Sequence, residues 1–141
     1  METTVSENEL PLPPSKVLVV DDNLQNLELL EAYLEEVDGV TTISATDGQG
    51  CLQKVASEKP DLILLDIMMP RMSGYEVCQK LKSDPETKDI PIIMVTALFE
   101  EGDVERGTEV GANDFVSKPV NRVDLLTRVK TFLRVRHAQA D

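Results

Sequence analysis

The sequence predicts an α/β fold in which a doubly wound, parallel five-stranded sheet carries helices on both faces. Its 141 residues suit one domain. From residue 16 onward, short runs of β-branched residues or leucine alternate with longer stretches of helical periodicity, and no internal repeat interrupts them. Because parallel strands are joined by right-handed helical crossovers, this (βα)5 alternation favours the strand order 2-1-3-4-5.

The predicted strands have the polarity that such a sheet requires. The first, third and fourth are almost entirely apolar, as expected of strands that are buried on both faces. Helices must therefore cover both sides of the sheet. The five strands are predicted at residues 17–20, 41–45, 62–65, 92–96 and 115–117.

Helical periodicity predicts the elements between the strands. In the first helix, Leu27, Leu30 and Leu34 recur every three or four residues, and Gly39 ends the segment. The fourth has a thin apolar face, and Gly102 and Gly107 each lower its helix propensity by up to about 1 kcal/mol, so we expect local mobility there. The five helices are predicted at residues 24–37, 48–57, 74–82, 101–110 and 122–136.

Composition and charge exclude several classes of function. The formal net charge of −12 repels phosphate backbones, which predicts no direct binding to nucleic acid. No segment approaches the ~18 apolar residues of a membrane span, and the N-terminus lacks the pattern of a signal peptide. Cys51 and Cys78 are too few for a disulfide framework and are predicted to be free, buried thiols. These features predict a cytoplasmic protein without membrane association.

The two ends of the chain are predicted to contribute little to the site. Residues 1–15 are polar and then proline-rich, which indicates a loose tail, and residues 138–141 form a second tail after a domain at 16–137. The only histidine, His137, is predicted to be solvated near a helix C-terminus.

The last helix carries a basic stripe that is either a solvated face or a partner for Glu109 or Asp114 of a second copy. The stripe consists of Arg128, Lys130, Arg134 and Arg136.

Polar residues at the ends of the predicted strands form the candidate site. Asp21 and Asp22 follow the first strand, Asp66 follows the third, Thr96 closes the fourth and Lys118 follows the fifth. The carboxyl ends of neighbouring parallel strands share one edge, so these residues are predicted to meet. Clustered carboxylates need a cation, and an oxygen-only ligand set favours Mg²⁺.

The same residues suggest phosphoryl transfer. A carboxylate is a competent nucleophile for this reaction, and Asp66 stands alone at the tip of a buried strand, whereas Asp21 and Asp22 form a pair suited to a metal. Lys118 is predicted to pair with the phosphoryl oxygens as a point charge. Thr96 is predicted to donate its hydroxyl hydrogen to one of them.

Four segments in this order resemble the response-regulator receiver domains of two-component signalling. The resemblance extends over residues 16–134 and implies the flavodoxin-like receiver fold. It further implies that Lys118 precedes a cis peptide bond to Pro119. The segments are residues 19–23 (VVDDN), 65–74 (LDIMMPRMSG), 95–97 (VTA) and 111–119 (GANDFVSKP).

The resemblance also implies a mechanism. Asp66 would accept a phosphoryl group from the phosphohistidine of a histidine kinase or a phosphotransfer protein, and Mg²⁺ would be held by Asp21, Asp22, Asp66 and the backbone carbonyl of Met68. Thr96 and Phe115 would then switch the face formed by the fourth helix, the fifth strand and the fifth helix. That face would control an effector or a phosphorylation-promoted homodimer. The protein would thus be a signalling phosphoacceptor and not an enzyme with a separate substrate.

Three alternative functions use the same fold or chemistry. A phosphatase of the haloacid-dehalogenase type needs an aspartate two residues after its nucleophile, where this chain has Met68. A flavin mononucleotide site is disfavoured because Asp21 and Asp22 would repel the phosphate. A phosphate-independent interaction module remains open. The sequence also leaves open whether the chain is a stand-alone receiver or a segment of a longer regulator. The resemblance implies that the side chains two residues after Asp66 and Thr96 lie near the path of attacking water, so the apolar Met68 and Leu98 at these positions predict slow autodephosphorylation.

Overall fold

A computed structural model, which describes residues 11–97 and 101–139, contains one parallel sheet with the strand order β2-β1-β3-β4-β5. The predicted fold class and strand order are confirmed. The strands are β1 (Ser15–Val20), β2 (Val40–Ala45), β3 (Leu62–Asp66), β4 (Ile92–Thr96) and β5 (Asp114–Ser117). The helices are α1 (Leu24–Leu34), α2 (Gly48–Glu58), α3 (Gly74–Lys82), α4 (Glu101–Glu109) and α5 (Arg122–Gln139).

The apolar central strands build two cores, one on each face of the sheet. Successive side chains of a strand point to opposite faces, so Leu18 and Leu65 pack with α2 and α3 on one side. Val17 and Leu64 pack with α1 and α5 on the other side. This two-sided burial explains why the central strands are apolar throughout, and it fixes the strand ends that carry the site.

The chain enters the sheet earlier than the sequence predicts. Ser15, expected in the tail, is buried as the first residue of β1, and its backbone N–H donates to the carbonyl of Gly39 at 2.8 Å. Leu12 packs partly against the core beside α1. The ordered structure therefore includes part of the predicted tail, whereas residues 1–10 lie outside the described residues.

The first helix ends three residues before its predicted end. After Leu34, two tight turns follow, in which Val37 N–H donates to the carbonyl of Leu34 at 3.0 Å and Val37 remains buried. Gly39 then adopts φ +90°, and a Cβ at this position would come within 2.9 Å of the Leu12 carbonyl oxygen. The apolar periodicity thus continues beyond the helix because the turns keep Val37 in the core.

The last helix is longer than predicted and is tied to the start of the sheet. α5 continues to Gln139, past the predicted domain end at residue 137. The Nε2 atom of His137 lies 2.7 Å from the hydroxyl of Ser15, and His137 is half-buried. The expectation that His137 is solvated is therefore wrong, because β1 begins beside the end of α5.

Two further sequence expectations concern the cysteines and membrane spans. Cys51 and Cys78 are free and buried, as predicted, and burial raises the pKa of the Cys51 thiol to about 12 and that of Cys78 to about 11. Both thiols therefore remain protonated and unreactive at neutral pH. Among the helices of residues 11–97 and 101–139, none is long and apolar enough to cross a membrane.

Candidate functional site

The carboxyl ends of the central strands bring four of the predicted site residues together. Oxygen atoms of Asp21, Asp22 and Asp66 all lie within 4.8 Å of one another. The Lys118 ammonium reaches across from the end of β5 and lies 2.7 Å from Asp21 Oδ2 and 3.6 Å from Asp66 Oδ1. The cluster joins residues that are up to 97 positions apart in the sequence, which is the convergence that the strand order predicts.

The three residues of the Asp-Asp-Asn sequence after β1 differ in burial and in their hydrogen bonds. Asp21 turns inward and is 1% exposed, and its Oδ1 accepts a hydrogen bond from the backbone N–H of Asn23 at 2.9 Å. Asp22 is exposed at the rim. Asn23 is the N-cap of α1, because its side chain accepts from the N–H of Asn26 at 3.1 Å. The helix cap is thus supplied by Asn23, which leaves both carboxylates available to the cluster.

Asp66 is held by the loop that follows it. Its Oδ1 accepts a hydrogen bond from the backbone N–H of Met68 at 3.3 Å. The loop closes where the N–H of Gly74 donates to the carbonyl of Ile67 at 2.9 Å. A Cβ at Gly74 would lie only 2.4 Å from the Asp66 carbonyl oxygen, so this position requires glycine. From the sequence, Gly74 is only the predicted start of the third helix and the last residue of segment 65–74, and periodicity gives no sign of this close backbone contact.

The electrostatics of the cluster favour a cation. Burial, followed by the charge of Asp21, raises the pKa of Asp66 to about 6, against smaller lowering effects from Lys118 and the Met68 N–H. One ammonium does not balance three carboxylates that lie this close together. The donors are all carboxylate oxygens, which is the chemistry that hard divalent cations such as Mg²⁺ prefer. The residues present therefore fit a Mg²⁺ ion.

The two predicted switch residues lie on neighbouring strands. Thr96 ends β4 beside the cluster, is 1% exposed, and its carbonyl accepts from the N–H of Lys118 at 2.9 Å. Phe115 is half-buried in β5, opposite Met94 of β4. The peptide bond from Lys118 to Pro119 is cis, as the resemblance implies.

The Phe115 ring explains why a glycine, Gly107, stands in the fourth helix despite its low helix propensity. A Cβ at Gly107 of α4 would lie 2.4 Å from Cε2 of the Phe115 ring and 3.3 Å from the Met94 sulfur. Gly107 therefore allows α4 to approach the ring closely. The helix forms despite its low propensity because this contact and those with α3 fix it, and it ends one residue before the prediction.

Arg128, in the basic stripe of α5, forms ion pairs within the chain. Arg128 Nη1 lies 2.6 Å from Asp114 Oδ2 in β5, and Arg128 Nε lies 3.0 Å from Asp124 Oδ1 one helical turn away. Arg128 therefore pairs with Asp114 of its own chain, and the expected pairing of the stripe with Asp114 of a second copy is wrong for this residue. The sequence could not reveal this pair, because it depends on how α5 packs beside β5.

Comparisons with known proteins all find similarity to response regulators. The pattern of the response regulator receiver domain family matches residues 17–130. The response regulator PleD of Caulobacter vibrioides is 47% identical over 86% of this chain and 27% of its own length. The alkaline phosphatase synthesis transcriptional regulatory protein PhoP of Bacillus subtilis is 44% identical over 84% of this chain and 48% of its own length. The chain therefore spans between about a quarter and a half of these two relatives.

Solved structures agree with this match. A putative response regulator from Chloroflexus aurantiacus superposes with a TM-score of 0.81 at 35% identity, covering 86% of this chain and 98% of that one. The chemotaxis protein CheY4 of Vibrio cholerae gives a TM-score of 0.78 at 30% identity, covering 84% and 98%. The similarity therefore includes both the fold and the sequence.

Proposed function

The chain belongs to the response regulator receiver domain family, and from this premise we propose that Asp66 accepts a phosphoryl group in a Mg²⁺-dependent reaction. Receiver domains of two-component systems accept phosphate from histidine kinases, and we propose a phosphohistidine of a kinase or a phosphotransfer protein as the donor. The observation that carries the proposal is the cluster of Asp66 with Asp21, Asp22 and Lys118 at one edge of the sheet.

The reaction exchanges one phosphorus bond for another. An oxygen of Asp66 attacks the phosphorus, the bond between phosphorus and the donor imidazole breaks, and an acyl phosphate forms on Asp66. With a pKa of about 6, most of Asp66 is ionised at about pH 7 and is available as the nucleophile. Lys118 lies close enough to Asp66 to pair with an oxygen of the transferred group.

The acidic residues would hold the metal. Asp21, Asp22, Asp66 and the Met68 carbonyl are the proposed ligands of Mg²⁺, and the carboxylate part of this set is supported by the clustered oxygens. When bound, Mg²⁺ supplies positive charge that offsets the carboxylates and the incoming phosphoryl oxygens. Asp21 is oriented for this task by the Asn23 N–H, and Asp66 by the Met68 N–H.

Phosphorylation is proposed to switch one face of the domain. Thr96 would move toward the phosphoryl group and Phe115 would turn into the space it leaves, which would alter the surface of α4, β5 and α5. That surface would then bind an effector or a second copy. The domain acts as a signalling phosphoacceptor, and we propose a cytoplasmic location because its two described cysteines are free thiols, as in reducing compartments.

The phosphoryl group is proposed to be lost slowly. Met68, two residues after Asp66, is apolar and 58% exposed, and its side chain is proposed to hinder the approach of water to Asp66. Leu98, the second residue expected to do so, lies outside the described residues. The decay of radiolabelled protein measures this, and a half-life of seconds would contradict it.

Intact-mass spectrometry tests the function directly. The protein is incubated with acetyl phosphate or phosphoramidate, with and without Mg²⁺, alongside Asp66→Asn and the control Asp38→Asn, which alters an exposed aspartate after α1. We expect a single Mg²⁺-dependent adduct in the wild type and in Asp38→Asn, and none in Asp66→Asn. A folded wild type that forms no adduct, or an adduct that persists in Asp66→Asn, contradicts the proposal and favours a phosphate-independent module.

A further inference from the structure

Few residues of helix α4 are buried against the rest of the domain. Between residues 102 and 109, Gly107 is the one buried position, and the other side chains are exposed or half-buried. Toward its C-terminal end, Gly107 lies against the Phe115 ring, as described above. A contact at the first turn of the same face, four residues earlier, therefore has a large influence on where the helix sits.

The first turn of α4 is held by Tyr75 of α3. Its hydroxyl lies 3.1 Å from Asp103 Oδ1 and 3.3 Å from the Asp103 carbonyl oxygen, both in the first turn of α4. The Arg106 guanidinium lies over the same ring, 4.3 Å from its centroid. A single tyrosine thus makes a hydrogen bond and a cation–π contact to α4.

The phenol is suited to be a permanent donor. Tyr75 is 5% exposed, and burial, followed by its hydrogen bond to Asp103, raises its pKa, so it stays protonated at neutral pH. Its neighbour in the sequence, Gly74, packs directly on the backbone of Asp66. The tyrosine is therefore anchored at the rigid end of the site and reaches from there to α4.

We propose that Tyr75 is a positioning residue that tethers α4 through Asp103 and opposes the movement of the switch. This inference rests on the proposed function, in which Phe115 leaves the space beneath Gly107. When the ring leaves that space, α4 loses its contact at Gly107 and shifts, and the bond from Tyr75 to Asp103 at the first turn resists the shift. A ligand or modification that favours the shifted arrangement must overcome this tether.

Removing only the hydroxyl separates the tether from the packing of the ring. Tyr75→Phe keeps the ring beneath Arg106 and deletes the hydrogen bond to Asp103, and Asp103→Ala removes the side-chain acceptor. The matched controls are Tyr33→Phe, at the other tyrosine of the chain, and Glu105→Ala, which removes an exposed carboxylate from the same helix. Thermal unfolding verifies that each variant is folded.

Two measurements are made on the full chain. Hydrogen exchange followed by mass spectrometry reports the protection of residues 101–110, and the rate of phosphorylation by acetyl phosphate with Mg²⁺ reports the ease of the switch. Because one net hydrogen bond is lost, we expect both the exchange and the phosphorylation rate to rise about three- to tenfold in Tyr75→Phe and Asp103→Ala. The two controls are expected to match the wild type.

The outcomes distinguish the tether from the underlying function. Unchanged exchange in α4 of Tyr75→Phe overturns the tether, and so does faster exchange without a faster rate of phosphorylation, since the contact would then be only structural. A wild type that forms no phosphoryl adduct overturns the proposed function, and the tether with it. A wild type that is phosphorylated at the same rate as both tether variants overturns the tether alone.

Discussion

The end of the sheet that carries Asp66 and the region around α4 differ in how much of their structure is fixed by buried contacts. Every residue of β3 is buried, and Asp66 is fixed between a backbone hydrogen bond from Met68 and the close contact of Gly74. On the side of α4, the buried helical position is Gly107, and the Phe115 ring against it is only half-buried. Local stability follows buried contacts. The proposed chemistry therefore lies on rigid strand ends, and the proposed movement falls to a helix with few buried contacts.

The largest effect is expected from filling the space at Gly74. In Gly74→Ala, the new methyl group would meet the Asp66 carbonyl oxygen at 2.4 Å and Ile67 Cα at 2.8 Å, and these are backbone atoms of two buried residues, which cannot turn aside as a side chain can. We expect a loss of about 3 to 4 kcal/mol in the free energy of unfolding, measured with denaturant. A variant as stable as the wild type would show that this end of the sheet is not rigid.

Removing the charge of Asp66 is expected to stabilise the metal-free protein. The carboxyl has a pKa of about 6 in the fold and an ordinary value of 3.8, so the native state holds the proton more tightly. The stability of the wild type should therefore fall as the pH rises between these two values, and the full penalty applies above the higher one. At about pH 7 with a chelator, we expect Asp66→Asn to be more stable by about 2 to 3 kcal/mol.

The pH profile provides the check on this prediction. Asp66→Asn should lose the slope between the two pKa values, whereas the control Asp38→Asn should keep it. Added Mg²⁺ should stabilise the wild type more than Asp66→Asn, because it offsets the same repulsion. Equal stability of Asp66→Asn and the wild type at neutral pH, without metal, would show that the cluster carries no excess charge.

A smaller loss is expected when the equivalent methyl group is added on the side of α4. In Gly107→Ala, the clash at 2.4 Å is with the Phe115 ring, which can turn, and alanine raises the helix propensity of α4. We expect a net loss of about 1 kcal/mol in unfolding free energy, with exchange changes confined to α4 and β5. A loss as large as that of Gly74→Ala would mean that the two regions are equally rigid.

Patterns that repeat along the chain were predictable, and contacts between distant segments were not. Alternating apolar runs predicted the strands and their order, and the order alone predicted that Asp21, Asp66 and Lys118 would meet. The contacts of Ser15 with His137 and of Tyr75 with Asp103 depend on how helix ends and faces pack. Neither contact leaves a periodic signal, since each joins one pair of residues that are far apart in the sequence.

The glycines illustrate the same limit. Low helix propensity at Gly102 and Gly107 predicts local mobility of the fourth helix, and that stays a prediction. Propensity could not predict that the Phe115 ring would occupy the space a side chain needs, or that Gly74 would lie on the backbone of Asp66. Both contacts are set by the tertiary fold.

The most direct test of the central claim is hydrogen exchange on the wild type before and after phosphorylation by acetyl phosphate with Mg²⁺, with the adduct verified by intact mass. We expect exchange to change in the peptides spanning α4 and β5 and to stay constant in β1 and β3, with no change in Asp66→Asn. Phosphorylated protein whose α4 and β5 exchange as before, or whose central strands change equally, would contradict the division between a rigid site and a movable helix.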